Sequence, residues 1–158
     1  MEKLEHEIEI LAKEIHKNAT NKGFHAFAKK MIKDCKSEDS KKKMALMNLS
    51  QHIALITTEL SEACESLRKD IYANTKAYMG KDKNVQLTDP TKDFEAFMKD
   101  TVEDELSDTF IRLLDTWELL RDYYRILRPR ADLLPFDYYI QKKMDYNKTR
   151  PKLHKSKF

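Results

Sequence analysis

Two long stretches of this chain carry apolar residues at a spacing of three or four, and this periodicity restricts the fold more than any other feature. The first stretch predicts a helix from about residue 42 to 70, and the second predicts one from about 91 to 128. Only two glycines and four prolines occur in 158 residues, so few positions favour a turn. The chain is therefore predicted to be all-α, a helical bundle built around these two long helices.

Shorter helical patterns cover residues 2–18, about 24–35 and 136–147, and a polar loop is predicted at 36–43. Residues 72–93 lose the periodicity, and Gly80, Asn84 and Pro90 favour an irregular connection there. Thr91 is the predicted N-terminal cap of the second long helix, and Pro129 its predicted end. The length fits one domain, 1–158, in which 72–93 is an insertion and 148–158 a basic tail.

Each long helix carries two acidic residues three positions apart: Glu59 with Glu62, and Glu105 with Asp108. At about 100° per residue, Glu59 lies about 95° to one side of its apolar stripe, and Glu105 about 80° to the same side of its own. If the two helices pack antiparallel, displacement to the same side of each stripe brings all four carboxylates to one face of the pair. A parallel pairing sends them to opposite sides.

Four carboxylates on one face repel one another and raise each other's pKa values unless a cation joins them. Ligands that offer only oxygen suit Mg²⁺, with Mn²⁺ as a substitute, better than zinc. A single acidic pair is common on a solvated helix face, and this chain has 27 acidic residues. Two nearly identical pairs in matching phase put a metal site on an equal footing with a solvated face.

The strings around these acids, Glu59-Leu60-Ser61-Glu62 and Glu105-Leu106-Ser107-Asp108, resemble the ExxE…ExxD signature of MazG-like, all-α nucleoside triphosphate pyrophosphohydrolases. This superfamily includes the dimeric dUTPases. The segment from Lys143 to Pro151 is similar to a K-x-x-x-N-x-x-R-P segment in some members. The resemblance touches most of the chain except about 70–95. The gap between the two acidic strings is longer than is usual in the family, which marks 72–93 as the insertion.

The resemblance implies a Mg²⁺-dependent enzyme that cleaves an NTP or dNTP to the nucleoside monophosphate and pyrophosphate, by attack of a metal-activated water on the α-phosphorus. It makes Glu59, Glu62, Glu105 and Asp108 both metal ligands and catalytic residues. It also implies a homodimer or a dimer of dimers, which the broad apolar faces of the long helices favour independently.

Substrate contacts are expected from five residues: Lys143, Asn147, Arg150, Lys148 and Asn18. Cations and amides in the tail can hold phosphate oxygens, and the resemblance places Asn18 near the base or sugar together with His16 and Phe24. The competing interpretation is a solvated basic tail, with a helix cap and core packing near the N-terminus. Lys152, Lys155 and Lys157 fit that interpretation better than a substrate contact.

The composition limits the alternatives. The net charge of +3 is too small by itself to indicate nucleic acid, so the alternative function is a non-enzymatic helical module that binds nucleic acid or a partner through its basic tail. A ferritin-like di-iron bundle needs Glu-x-x-His pairs, and no histidine has a glutamate three residues before it. No apolar run approaches the roughly 18 residues that cross a membrane. Cys35 and Cys64 fit reduced thiols in a cytoplasmic protein.

Overall fold

The computed structural model describes residues 2–150, with side chains described from Glu7 onward, and every regular element in this part of the chain is a helix. The helices are α1 (Glu2–Asn21), α2 (Ala26–Asp34), α3 (Glu38–Arg68), α4 (Thr75–Tyr78), α5 (Pro90–Phe97), α6 (Val102–Leu127) and α7 (Phe136–Thr149). The predicted all-α class is confirmed. Residues 151–158 of the predicted basic tail lie outside the described residues.

The two long helices, α3 and α6, pack against each other along much of their length and run antiparallel. Hydrogen bonds between the two sides fix the direction, because partner numbers fall on the α6 side as they rise along α3. The pairs are Asn48 with Tyr123 at 3.0 Å, Glu59 with Arg112 at 2.5 Å, and Ser66 with the carbonyl of Asp100 at 3.1 Å. The antiparallel arrangement on which the convergence of the acids depends is therefore present.

The buried core lies at the end of the bundle where α2 meets the first half of α3 and the second half of α6. Its members are Ile32, Ala45, Leu49, Leu119, Tyr123 and Leu127. Helix α1 packs on α6, and α7 packs on α1. Trp117 of α6 stacks on Phe136 of α7 with ring centroids 4.5 Å apart. These contacts leave the opposite end of the bundle free of a large apolar core, and the acidic residues lie there.

Helix α3 begins at Glu38, so the predicted polar loop at 36–43 is wrong for most of its length. Ser37 caps the helix by accepting a hydrogen bond from the amide of Ser40 at 3.1 Å. Two acidic residues lie in the first turn, where they offset the positive end of the helix dipole. Lys41 and Lys43 then pair with them one turn later. Capping and charge pairing stabilise this turn, and apolar periodicity cannot detect either.

The second long helical pattern is two helices, because residues 98–101 separate α5 from α6. Asp100 has a left-handed backbone with φ of 59°. Thr101 then caps α6, its hydroxyl accepting a hydrogen bond from the amide of Asp104 at 3.3 Å. The prediction of one continuous helix is wrong because the apolar spacing of Phe94, Met98 and Val102 continues across the break.

The N-terminal cap of α5 is Asp89 rather than the predicted Thr91. The Asp89 carboxylate accepts hydrogen bonds from the amides of Thr91 and Lys92 at 3.0 and 3.2 Å. Pro90 follows it in the first turn, where its missing amide hydrogen costs nothing. At the other end, α6 stops at Leu127, two residues before the proline that was predicted to end it.

The predicted insertion at 72–93 is largely irregular and packs against α5. The short helix α4 and the first residues of α5 lie within it, and α4 is capped by Asn74, whose side chain accepts a hydrogen bond from the amide of Ala77 at 3.1 Å. The amide of Asn74 donates to the carbonyl of Phe97 at 2.8 Å. The rings of Tyr78 and Phe94 meet edge to face with centroids 6.4 Å apart. The segment 72–93 therefore packs as a wall beside the start of α6.

The long helices carry more apolar surface than one chain buries. On α3, the side chains of Leu46, Ile53, Leu60 and Leu67 are 44–58% exposed, and on α6 those of Leu106, Phe110 and Leu113 are 39–50% exposed. We call these seven residues the apolar seam. The contact within the chain uses a neighbouring face, which includes the buried Ala45, Ala63 and Leu114.

None of the described helices has both the length and the apolarity that a bilayer crossing requires. Cys35 and Cys64 are free thiols, as expected. Glu65 lies next to Lys69, with 3.2 Å between the carboxylate and the ammonium group, so it serves an ion pair on the surface of α3.

Candidate metal centre

The packing of α3 on α6 brings three glutamates from the two helices together. Carboxylate oxygens of Glu59, Glu62 and Glu105 lie within 4.8 Å of one another. Glu59 and Glu105 are each only 6% exposed, whereas Glu62 is exposed. We call these three residues the acid cluster. Its two buried members come from facing helices and its exposed member lies at the surface, so the cluster is accessible from solvent.

The charge of the acid cluster is strongly self-repelling. The pKa of Glu105 is raised to about 7, first by burial and then by the negative charges of Glu62 and Glu59. Burial removes water that would stabilise the carboxylate, and the neighbouring anions disfavour a further negative charge. A divalent cation would relieve both effects, and donors that are all carboxylate oxygens match the preference of Mg²⁺ and Mn²⁺. The residues present therefore fit the metal that the sequence predicts.

Asp108, the fourth predicted ligand, lies one helical turn beyond Glu105 and is partly buried. Its pKa is raised by burial first, and then by the charges of Asp104 and Glu59. Its oxygens are not part of the tight group of three. Asp108 is thus close enough to feel the acid cluster electrostatically and stands at its edge.

A second acidic group shares Glu105 with the first. Oxygens of Asp100, Asp104 and Glu105 lie within 4.8 Å of one another. Asp104 also accepts a hydrogen bond from the amide of Asp100 at 2.9 Å. Residues 100–108 are rich in acids, but the site predicted from the sequence includes neither Asp100 nor Asp104. The signal was the position of Asp104, one turn before Asp108 on the same helix face.

Arg112 is a basic residue in direct contact with the acid cluster. Its Nε donates to Oε1 of the buried Glu59 at 2.5 Å. Glu59 therefore has a cationic partner within the chain, whereas Glu105 is surrounded by other acids. Arg112 lies seven positions after Glu105, so the two share one face of α6. That spacing would have placed Arg112 at the site from the sequence, but the residue was not singled out.

A cavity of about 440 Å³ lies between α1, α3 and α6, next to these groups, and we call it the α1-side cavity. Polar groups on its walls include Asn18, His52, Asp108, Arg112 and Asp115, and its apolar walls include Phe24, Leu55 and Ile111. The volume is in the range of small-molecule sites. The structure therefore places the predicted Asn18 and Phe24 at the same cavity as Asp108. His52, which had no role in the sequence interpretation, lines it too.

A histidine–aspartate network lies behind this cavity. His16 donates from Nδ1 to Asp115 at 2.7 Å and from Nε2 to Asp122 at 3.2 Å. His25, which is fully buried, donates from Nε2 to the same oxygen of Asp115 at 3.0 Å. The hydrogen bond to Asp115, followed by that to Asp122, raises the pKa of His16 to about 9. His16 is thus a cation that anchors α1 to α6.

The same network keeps Asp115 ionised. Burial by itself would raise the pKa of Asp115, but the hydrogen bonds from His16 and His25 outweigh it and hold the pKa well below its usual range. His16, His25 and Asp115 offer ligand atoms within 4.8 Å of one another. Asp115 already pairs with both histidines, and the second ring nitrogen of His16 pairs with Asp122, so this group has internal charge compensation that Glu105 of the acid cluster does not have.

A second cavity, of about 590 Å³, lies on the other side of the acids, and we call it the α5-side cavity. The segment 72–93 and α5 supply Tyr78, Pro90, Thr91, Phe94 and Glu95, and the loop before α6 and α6 itself supply Lys99, Asp104 and Asp108. Asp108 thus lines both cavities. Apart from Asp108, none of its lining residues was part of the site predicted from the sequence.

The predicted contacts of the tail lie on or just after α7, and all are exposed: Lys143, Asn147, Lys148 and Arg150. Lys143 lies over the ring of Tyr146, and Lys148 pairs with Asp145 at 3.0 Å. Within residues 2–150, none of the four lines either cavity or pairs with the acid cluster. The structure brings Asn18 to the site, and it leaves these four on the surface of α7.

Comparisons of the chain with protein-family models, with curated proteins and with solved structures find no match.

Proposed function

We propose that this chain is a Mg²⁺-dependent nucleotide pyrophosphohydrolase that cleaves an NTP or dNTP to the nucleoside monophosphate and pyrophosphate. The observation that carries the proposal is the acid cluster, in which two buried glutamates from antiparallel helices face each other with a third carboxylate at the surface. Such a cluster is unfavourable by itself and becomes favourable with a divalent cation. The resemblance of both acidic strings to the MazG-like signature supports the same reaction.

Glu59, Glu62, Glu105 and Asp108 are the proposed metal ligands and catalytic residues. Bound Mg²⁺ supplies charge neutralisation for the phosphates and a lowered pKa for a coordinated water. The protein contributes position, because both helices hold their carboxylates on one face. Asp104 lies one turn before Asp108 and supports the negative potential at the same face.

The nucleoside is proposed to occupy the α1-side cavity, whose edge reaches Asp108. Asn18 and His52 offer hydrogen bonds to a base or sugar there, and Phe24, 72% exposed, offers a ring for stacking. Arg112 reaches both the cavity and Glu59. We assign it two tasks in turn, which are to hold Glu59 in the free enzyme and to contact a phosphate oxygen when substrate is bound.

Lys143, Asn147, Lys148 and Arg150 stay proposed phosphate contacts on the strength of the sequence resemblance. The proposal of a homodimer, or of a dimer of dimers, has a separate support in the apolar seam, which one chain leaves exposed. A cytoplasmic location remains a prediction from the sequence.

A substrate panel tests the reaction. The purified chain is incubated with Mg²⁺ and each of the standard ribo- and deoxyribonucleoside triphosphates, with dUTP added, and the products are separated by chromatography. We expect a nucleoside monophosphate and pyrophosphate from at least one substrate, with turnover lost in Glu59→Gln. Glu14→Gln is the matched control, since Glu14 is exposed on α1. Absence of turnover across the panel would remove the proposal.

A further inference from the structure

The acidic residues near the proposed metal site lie between two cavities, and Asp108 lines both. Asp104 and Asp108 line the α5-side cavity, and Asp108, Arg112 and Asp115 line the α1-side cavity. These positions follow each other along one face of α6, and eleven residues of helix at 1.5 Å each span about 16 Å. A substrate with one nucleoside and a bare polyphosphate fills one cavity and leaves the apolar wall of the other unused.

The α5-side cavity has the wrong chemistry for the end of a polyphosphate chain. Besides the proposed metal ligand Asp108, the carboxylates of Glu95 and Asp104 line it, against the single ammonium group of Lys99. A terminal phosphate carries up to two negative charges of its own, so most of this lining repels it. Carboxylates instead accept hydrogen bonds from neutral donors such as sugar hydroxyls and the amino groups of bases.

The remaining wall of the α5-side cavity is apolar and aromatic, so it suits a flat ring. Phe94 lines the cavity, is 38% exposed and meets the ring of Tyr78 edge to face, so the cavity offers an aromatic surface to a ligand. Pro90 lies beside it as a second apolar surface. Ring stacking on such a surface contributes about two- to tenfold in affinity beyond apolar burial. A volume of about 590 Å³ also suits a group of nucleoside size.

We propose that the α5-side cavity binds a second nucleoside, and that the preferred substrates are dinucleoside polyphosphates, in which a nucleoside closes each end of the phosphate chain. This inference rests on the proposed function and names its substrate class. The first nucleoside occupies the α1-side cavity, the phosphates lie over the acids, and the second nucleoside stacks on Phe94.

The reaction on such a substrate remains a hydrolysis. The oxygen of water bonds to the phosphorus next to the first nucleoside, and the bond from that phosphorus to the bridging oxygen breaks. The bridging oxygen keeps the electron pair and leaves on the phosphate chain of the second nucleoside, while the protons of the water pass to solvent. The products are a nucleoside monophosphate and a nucleoside with the remaining phosphates, so no other reactant is needed. Lys99 is placed to accept negative charge on the leaving side.

The test compares matched substrates with Mg²⁺: diadenosine tetraphosphate against ATP, and diguanosine tetraphosphate against GTP. We expect kcat/KM to be about tenfold higher for the dinucleoside substrate of at least one base, the effect of one stacked and partly buried ring. Turnover of nucleoside triphosphates without preference for the dinucleoside form overturns this inference and leaves the proposed function intact. Turnover of neither class overturns both.

Variants at the wall connect the preference to this cavity. Phe94→Ala should reduce the ratio of kcat/KM for dinucleoside over triphosphate substrate by about tenfold, mainly through KM. Phe94→Leu keeps the apolar volume but not the ring, and should reduce the ratio in part even if the alanine variant folds poorly. Phe27→Ala is the matched control, because Phe27 is 76% exposed on α2 and lines neither cavity. An unchanged ratio in a folded Phe94 variant contradicts the proposal.

Discussion

Glu59 and Glu105 show how burial separates two acids from the other acidic residues of this chain. Burying a carboxylate is costly unless a cation or hydrogen-bond donors compensate it. Glu59 has Arg112 at 2.5 Å, whereas the pKa of Glu105 is raised by burial and by the acids around it. The cost at Glu105 is therefore uncompensated in the free protein, and this unpaired charge is the property that a divalent cation would use.

Replacing Glu105 by glutamine should raise the stability of the metal-free protein and reduce its stabilisation by Mg²⁺. Glu105→Gln removes one repelling charge, so the metal-free variant should be more stable than the wild type by on the order of 1 kcal/mol near pH 8. Mg²⁺ should raise the melting temperature of the wild type and have little effect on the variant. Thermal melts with and without Mg²⁺ measure both.

Glu14→Gln again provides the control, since Glu14 is an exposed residue on α1. It should match the wild type with and without the cation. If Glu105→Gln is destabilised without metal and still gains stability from Mg²⁺, the assignment of Glu105 as a ligand is wrong.

His16 gives the molecule a pH dependence at the alkaline side. Its folded-state pKa of about 9 lies above the ordinary value of 6.5 because Asp115 and Asp122 accept its two N–H groups. The stability from this cation is therefore fully present below pH 6.5 and is lost as the pH rises through about 9. We expect a loss on the order of 2 kcal/mol across that window, measured by urea denaturation.

The variant His16→Gln should lose stability below pH 6.5 and show a much flatter profile from there to above pH 9. Equal slopes in variant and wild type would show that the network does not bind the proton more tightly in the folded state.

At the scale of whole elements, the sequence predicted helices well where packing sets the pattern and poorly where local polar contacts do. The span of α3 beyond residue 42 and the end of α2 near Cys35 follow from apolar spacing. The first turn of α3 and the break before α6 depend on Ser37 and Thr101 as caps. A cap is a single side chain that accepts a hydrogen bond from one or two backbone amides. In the sequence it is a weaker signal than an apolar periodicity that continues across the cap position.

Thr101 is the residue that starts α6 and so sets the position of Asp104 and Glu105. Its hydroxyl donates to the carbonyl of Met98 at 2.6 Å and accepts from the amide of Asp104 at 3.3 Å. Thr101→Val keeps the shape and removes both bonds, so it should lower the free energy of unfolding by about 1–2 kcal/mol.

Thr101→Ser keeps the hydroxyl and should recover most of that loss, which chemical denaturation of the three proteins will measure. The comparable change Ser37→Ala, at the exposed cap of α3, should cost less because water can replace the hydroxyl there. A valine variant as stable as the wild type, together with a less stable serine variant, would mean that packing of the methyl group, and not the cap, holds this turn.

At the scale of the whole molecule, the acid cluster could be predicted because it follows from the angular positions of the acids on the two long helices and from the antiparallel pairing of these helices. The cavities could not, because each combines residues from segments whose relative position no periodicity determines. His52 lies on α3, Asn18 on α1 and Phe94 on α5, and only the packing brings each to the acids. The apolar stripe had a different ambiguity, since a sequence does not distinguish surface buried within a chain from surface buried between chains.

The apolar seam leads to the last prediction, which concerns assembly. Leu46, Ile53, Leu60 and Leu67 recur every seven residues on α3, so they form a continuous exposed line along the helix. A line of this kind on two adjacent helices is larger than the isolated apolar residues that a monomer exposes, and a second copy of the chain would bury it. We therefore expect at least a dimer in sedimentation equilibrium.

Ile53→Glu places a charge in the middle of the line and should shift the protein towards monomer, with the far-UV spectrum unchanged. Met79→Glu is the control, because Met79 is 60% exposed in the segment 72–93 and is not one of the seam residues. A monomeric wild type, or an Ile53→Glu variant that assembles like the wild type, would show that the seam is not the subunit interface.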